Sequence, residues 1–330
     1  MTEENSTASH LSVAMTTTGI TQITGEIAMA KSSSRGAELY FHCALVVIGV
    51  VGTATNGLIL YALVASKQHK KHALIVNQNA LDLFTCFLIV ISYSSKLCNI
   101  HFSGSAGYWL CTLLLSDGLI WCGTIGSVIN LASITIERYL KVVHSVWSRT
   151  KLRNWMIYSA MAISWIGSFT YNLAVVFSTT VVIDGVCYSY TIWDSDAARI
   201  IQFIYSFLSF YVIILLIFIF CYWRILIVVR RHASVMATHA AAGPSTAQDQ
   251  FNQMQSSVTK TMIYVCAFYA ISWLPIYMCA LNLTLNPDHT ISHGTYPVSL
   301  FIAFLYVCTN PFVYATKFDP VREVLLHLIR

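Results

Sequence analysis

Glu137-Arg138-Tyr139 places an acid, a base and a phenol side by side, where a long apolar run beginning at Trp109 gives way to basic residues. Such a triplet can exchange ion-pair partners. Arg138 is either held by Glu137 or handed to another acceptor, and a guanidinium at a membrane boundary is costly unless paired. Two more acids stand in apolar surroundings, Asp82 in an earlier run and Asp117 in the run that ends at the triplet. A carboxylate as deep as Asp82 has to be protonated, hydrogen-bonded to neighbours such as Asn56 and Asn310, or neutralised by a small cation. Ser127 completes a set that suits sodium, and the hydrogen-bonded acid and the cation site stand as equal alternatives. Asp117 lies higher, where an acid beside aromatic rings suits an ammonium or guanidinium group. Covalent chemistry finds no footing: no nucleophile–base set, metal-ligand spacing or phosphate loop occurs, so the expectation is that the protein is not an enzyme.

Apolar helices must position these residues. The 330 residues are 56% hydrophobic and 10% charged, with mean hydropathy +0.65, which excludes a soluble globular domain. Seven segments, at about 39–65, 73–96, 109–142, 154–182, 198–231, 254–285 and 295–317, are each long enough to span as a helix. None carries the alternation of a membrane barrel strand. The expected fold is an all-α membrane protein, a seven-transmembrane helix bundle. Residues 1–38, rich in Ser and Thr, are expected to form a disordered extracellular N-terminus. Residues 318–330 are expected to form a short amphipathic cytoplasmic helix, with Asp319 as N-cap and Pro320 in its first turn. No basic-then-apolar leader comes first, so the first span is expected to act as its own signal anchor. Fifteen of the 19 Lys and Arg fall on one side of the spans, which puts the N-terminus outside. The net charge of +5 is then an attraction to anionic lipid, and nucleic acid is not an expected partner. On the outer side, Asn5 of Asn5-Ser6-Thr7 can carry a glycan, and Cys111 can pair with Cys187 or with Cys98.

Pro275 and Pro311 sit inside the sixth and seventh spans, where each removes a backbone hydrogen bond and permits a kink. Trp273 stands just before the first and Tyr314 just after the second. Taken in order, Asn56-Gly57, Asn79-Ala80-Leu81-Asp82, Glu137-Arg138-Tyr139, Trp165, Ser272-Trp273-Leu274-Pro275 and Asn310-Pro311-Phe312-Val313-Tyr314 resemble the motifs of the rhodopsin-like (class A) G-protein-coupled receptors. The resemblance implies a heterotrimeric G protein as partner, residence in the plasma membrane, and a Cys111–Cys187 disulfide. It also implies a coupling face of Glu137, Arg138, Tyr139, Val146, Tyr222 and Tyr314, and an activation lever of Trp273, Pro275, Asn310 and Pro311. An opsin is set aside, since retinal needs a lysine within the seventh span and Lys317 follows Tyr314. The only cofactor left in view is sodium at Asp82.

Several positions depart from the family's pattern. Cys111 lies 27 residues before Arg138, two more than is usual. Ile214 replaces the proline of the fifth span, Tyr269 a frequent phenylalanine, Ser145 a frequent proline, and Gln255 an acid that in many members holds the arginine.

For the ligand, Asp117 is expected to face a pocket ringed by Trp121, Trp193, Tyr205, Trp273 and Tyr296, beneath an outer surface where acids outnumber bases. Ile120 occupies the place of the acid in amine receptors, so Asp117 sits about a turn higher. A cationic peptide or amine is favoured. A lipid-like or other apolar ligand is the alternative, because the missing fifth-span proline is shared with some lipid receptors. A transporter or channel is less favoured still, as no repeated half-structure is evident.

Overall fold

The computed structural model describes residues 36–69, 72–98, 104–189, 193–239, 247–285, 294–317 and 324; side chains of 232–262, 309 and 312–317 are outside that description. Asn5, the amphipathic helix expected at 318–330, and the side chains of Gln255 and Tyr314 therefore lie outside the described residues. The chain falls into two units, Met1–Ala44 and Leu45–Arg330. Of the first only the start of α1 is described, and the packing below is that of the second.

The helices are α1 (Gly36–Ala65), then α2 (Ala73–Leu97), α3 (Gly104–Leu110), α4 (Gly118–Val143), α5 (Ser145–Lys151) and α6 (Asn154–Thr179). They are followed by α7 (Asp196–Phe207), α8 (Ile213–His239), α9 (Ala247–Leu285) and α10 (Thr295–Lys317). Among the described residues, 6 helical stretches are long and apolar enough to cross a membrane, and α10 adds the shorter apolar stretch Thr295–Cys308. An antiparallel hairpin of β1 (Val181–Ile183) and β2 (Val186–Tyr188) sits between α6 and α7, with Val182 opposite Cys187. Its turn residues Asp184 and Gly185 both have positive φ, as a tight two-residue hairpin turn requires.

The third span is broken. After α3 comes a π-helical turn, Cys111–Leu115, then Ser116 and Asp117, with Asp117 left-handed at φ 59. The break supplies its own hydrogen bonds. Ser116 donates from its backbone to the Cys111 carbonyl at 2.9 Å, and Ser92 from α2 donates to the Leu114 carbonyl at 2.9 Å. This irregular stretch takes up the extra length between Cys111 and Arg138. Cys111 bridges Cys187, with Cα atoms 5.5 Å apart, and Cys98 is a free thiol.

The fifth span is also distorted, although Ile214 is not a proline. A π-helical turn, Leu208–Val212, joins α7 to α8. The Tyr269 hydroxyl of α9 donates to the Phe210 carbonyl inside that turn, and Tyr211 donates back to the Ala270 carbonyl at 3.0 Å. Tyr269 in place of phenylalanine thus ties the sixth span to the irregular part of the fifth.

Close approach of α4 to its neighbours rests on two glycines. A Cβ on Gly123 would run into the Thr85 hydroxyl of α2, and one on Gly126 would stand 3.0 Å from the Ser164 carbonyl of α6. Small residues at helix crossings are how membrane helices gain packing, since lipid supplies no hydrophobic drive between them.

Candidate functional site

At the C-terminal end of α4, Arg138 is 2% exposed. Its guanidinium lies 3.8 Å from the Glu137 carboxylate and 3.3 Å from Nδ1 of His72, at the start of α2. Glu137 makes its closer ion pair with Lys141, one turn on, at 2.6 Å. The carboxylate is therefore shared, and Lys141 holds the nearer oxygen. Tyr139 meets His144 Nε2 at 3.1 Å and packs on Phe220 of α8. Tyr222 reaches Thr135 at 3.3 Å, one turn above Arg138, and accepts from the Cys266 thiol of α9 at 3.7 Å, so it joins three spans. Val146 stands 78% exposed on α5 beside this cluster. His72 was not anticipated, and nothing in its sequence neighbourhood points to a residue 66 positions downstream.

A line of buried side chains crosses the bundle. Ser127 donates to one Asp82 oxygen at 2.6 Å and Asn310 to the other at 2.8 Å, while the Gln78 amide faces both at 3.4 Å. Gln78 also donates to Ser127 and accepts from Asn130 at 2.8 Å. Asn130 accepts from Asn77 at 2.9 Å, and Asn77 in turn accepts from Trp165 Nε1 at 2.9 Å. Spans α2, α4, α6 and α10 are thereby joined through polar groups in a region where water cannot compete. Asn56 stands apart from this line, donating to the Gly52 and Val307 carbonyls at 2.9 and 3.3 Å. Gln78 lies one helical turn before Asp82, a signal that was available in the sequence. The groups around the acid donate to its oxygens, which satisfies a buried carboxyl.

Toward the N-terminal end of α4, a cavity of about 300 Å³ is walled by aromatic and aliphatic side chains. Trp121, Trp193, Trp273 and Tyr296 line it, as expected, and Trp273 meets Trp121 edge to face at 6.0 Å. Pro275 lies within α9 two residues past Trp273, and Pro311 within α10 directly after Asn310. Trp273 Nε1 is buried with no hydrogen-bond partner among the described residues.

Asp117 and Tyr205 differ from the expectation: neither is on the described wall. The left-handed turn at Asp117 delivers its carboxylate to α2, where Lys96 pairs with it at 2.7 Å and Ser92 and Tyr93 donate at 2.9 Å each. Lys96 also lies 4.2 Å from the Tyr93 ring centroid. Tyr205 instead lines an outer groove between α6 and α7. The charged residue among the described lining of the cavity is Arg199, in the first turn of α7, a role that counting outer charges did not reveal.

Comparison with known proteins agrees with this architecture. Residues 55–314 match the family model of the 7 transmembrane receptor (rhodopsin family). The C-C chemokine receptor type 8 of Mus musculus is 25% identical over 314 residues, covering 90% of this chain and 81% of that one. The somatostatin receptor type 4 of Rattus norvegicus is 25% identical over 287 residues, covering 85% and 70%. Squid rhodopsin shares the fold with a TM-score of 0.71 at 18% identity, covering 87% of this chain and 84% of that one. The helices, the disulfide, the Glu137-Arg138-Tyr139 end of α4 and a match over most of the length lead to one assignment: the chain belongs to the rhodopsin family of seven-transmembrane receptors.

Proposed function

We propose that this receptor stands in the plasma membrane with its N-terminus outside, binds an extracellular ligand in the outer cavity, and activates a heterotrimeric G protein at its inner end. The observation that carries the reading is the environment of Arg138. A buried guanidinium beside a carboxylate shared with Lys141 has partners it can exchange, and exchangeable pairs make two-state elements. Relatives named as receptors for a C-C chemokine, somatostatin and neuropeptide Y support an extracellular ligand. Val146, exposed beside the basic residues Arg149 and Lys151, supports α5 as part of the transducer contact. The test is guanine-nucleotide exchange by purified heterotrimers on membranes carrying the receptor. Arg138→Ala abolishes receptor-dependent exchange, and Val146→Asp lowers it; exchange unchanged by Arg138→Ala overturns the proposal.

Two ligand readings follow from different residues. A cationic peptide or amine bound through Asp117 has to displace Lys96 from a 2.7 Å ion pair. The composition of the cavity wall favours the second reading, a largely apolar ligand.

A further inference from the structure

The cavity and the outer groove are two sides of one partition. Tyr171, Val175 and Gln202 line both, and Gln202 donates to the Tyr171 hydroxyl at 2.6 Å across the gap between α6 and α7. The outer groove continues along Gly167, Thr170, Ala174 and Ser178, all exposed on α6. Trp155, Tyr158, Ile163, Ile166 and Phe177 of the same helix are exposed as well, which makes this face of a spanning helix a lipid-facing one. Small side chains leave the groove open, and Tyr171 closes it from the cavity, its hydroxyl bonded to Gln202 and Ser206 and its ring against Tyr205 and Phe210.

Inside, the polar chemistry is one-sided. Arg199 stands one turn above Gln202, so both face the cavity from α7. Its Nε is buried without a hydrogen-bond partner among the described residues, while its terminal nitrogen reaches Asp196 at 3.0 Å. Asp196 is 84% exposed, and a pair of that kind at a helix end is weak and screened by water and salt. A carboxylate arriving from inside the cavity meets a planar guanidinium with donor capacity to spare.

Resting on the receptor reading above, we propose that the ligand is an amphiphilic acid, an apolar chain with one carboxylate, which enters from the bilayer past the Tyr171–Gln202 hydrogen bond and seats its acid on Arg199. Its apolar part lies among Trp121, Phe203, Trp273 and Tyr277, and its head stays near the membrane interface, where α7 begins.

The probes are dodecanoate, dodecanol and dodecylamine, bound to the purified full chain in lipid nanodiscs, with empty nanodiscs subtracted for partition into lipid. Dodecanoate binds at least about tenfold more tightly than dodecanol, the ratio expected of a charge-assisted hydrogen bond. Arg199→Gln erases that preference, and Arg199→Lys, which keeps the charge, retains part of it. Equal binding of acid and alcohol, tightest binding by the amine, or a preference that survives Arg199→Gln overturns the ligand class. For the route, Ala174→Trp fills the groove from outside the cavity. Association and dissociation of dodecanoate then slow by the same factor with the equilibrium constant unchanged, and unaltered rates overturn entry from the bilayer. Nucleotide exchange that depends on Arg138 while dodecanoate shows no preference leaves the receptor reading standing and removes only this inference.

Discussion

Glu137 is pulled two ways, by Lys141 at 2.6 Å and by Arg138 at 3.8 Å, so the restraint on the arginine depends on a competitor one helical turn away. Removing that competitor gives Arg138 the whole carboxylate. Glu137 is buried and Lys141 partly exposed, and an i,i+4 ion pair on a helix is worth about 0.5 kcal/mol, so Lys141→Met lowers ligand-free nucleotide exchange by about twofold. An unchanged or raised basal rate refutes the competition. Asp117 presents the complementary case, an acid whose partner is already in place. Its carboxylate and Lys96 are only partly exposed, and each single change strands the other charge. Thermal unfolding of Lys96→Met, Asp117→Asn and the double variant yields a coupling of about 1 kcal/mol. Additive losses mean that the pair is incidental.

α4 carries more of the architecture than any other helix, because its glycines let α2 and α6 approach. Gly126→Ala pushes a methyl group against the Ser164 carbonyl and the Leu81 side chain, and overpacking of this kind costs about 1–3 kcal/mol. Gly167→Ala on the lipid-facing side of α6 meets nothing within 4 Å and is the matched control, neutral or slightly stabilising. Equal unfolding temperatures for the two variants contradict the packing assigned to α4. Much at this scale was legible beforehand: runs of apolar residues long enough to span, prolines inside two of them, and a triplet at the end of the third. The π turns were not legible. Apolar runs look the same whether a turn holds one residue more or fewer, and only the two surplus residues before Arg138 and the absent proline at Ile214 marked those places. Nor could sequence separation show that Asp117 turns toward Lys96, since a left-handed residue at a helix break redirects the side chain.

At the scale of the whole bundle, the line of polar groups from Trp165 to Asn310 is what joins the spans away from their apolar contacts. Asp82 meets donors from three residues, so its oxygens have partners without an ion. The unfolding temperature is therefore the same in sodium chloride as in equimolar choline chloride. A selective rise in sodium reverses the hydrogen-bonded reading in favour of a cation site. The same line has a consequence for biogenesis. A nascent chain inserts α2 well before α10, so Asp82 first meets lipid with only Gln78, on its own helix, to shield it. Ser127 arrives with α4 and Asn310 with the last span. Translation thus adds the acid's partners in order, and a chain arrested before α10 carries an under-shielded carboxyl in the membrane, the kind of polar flaw by which quality control can tell an unfinished product from a complete one.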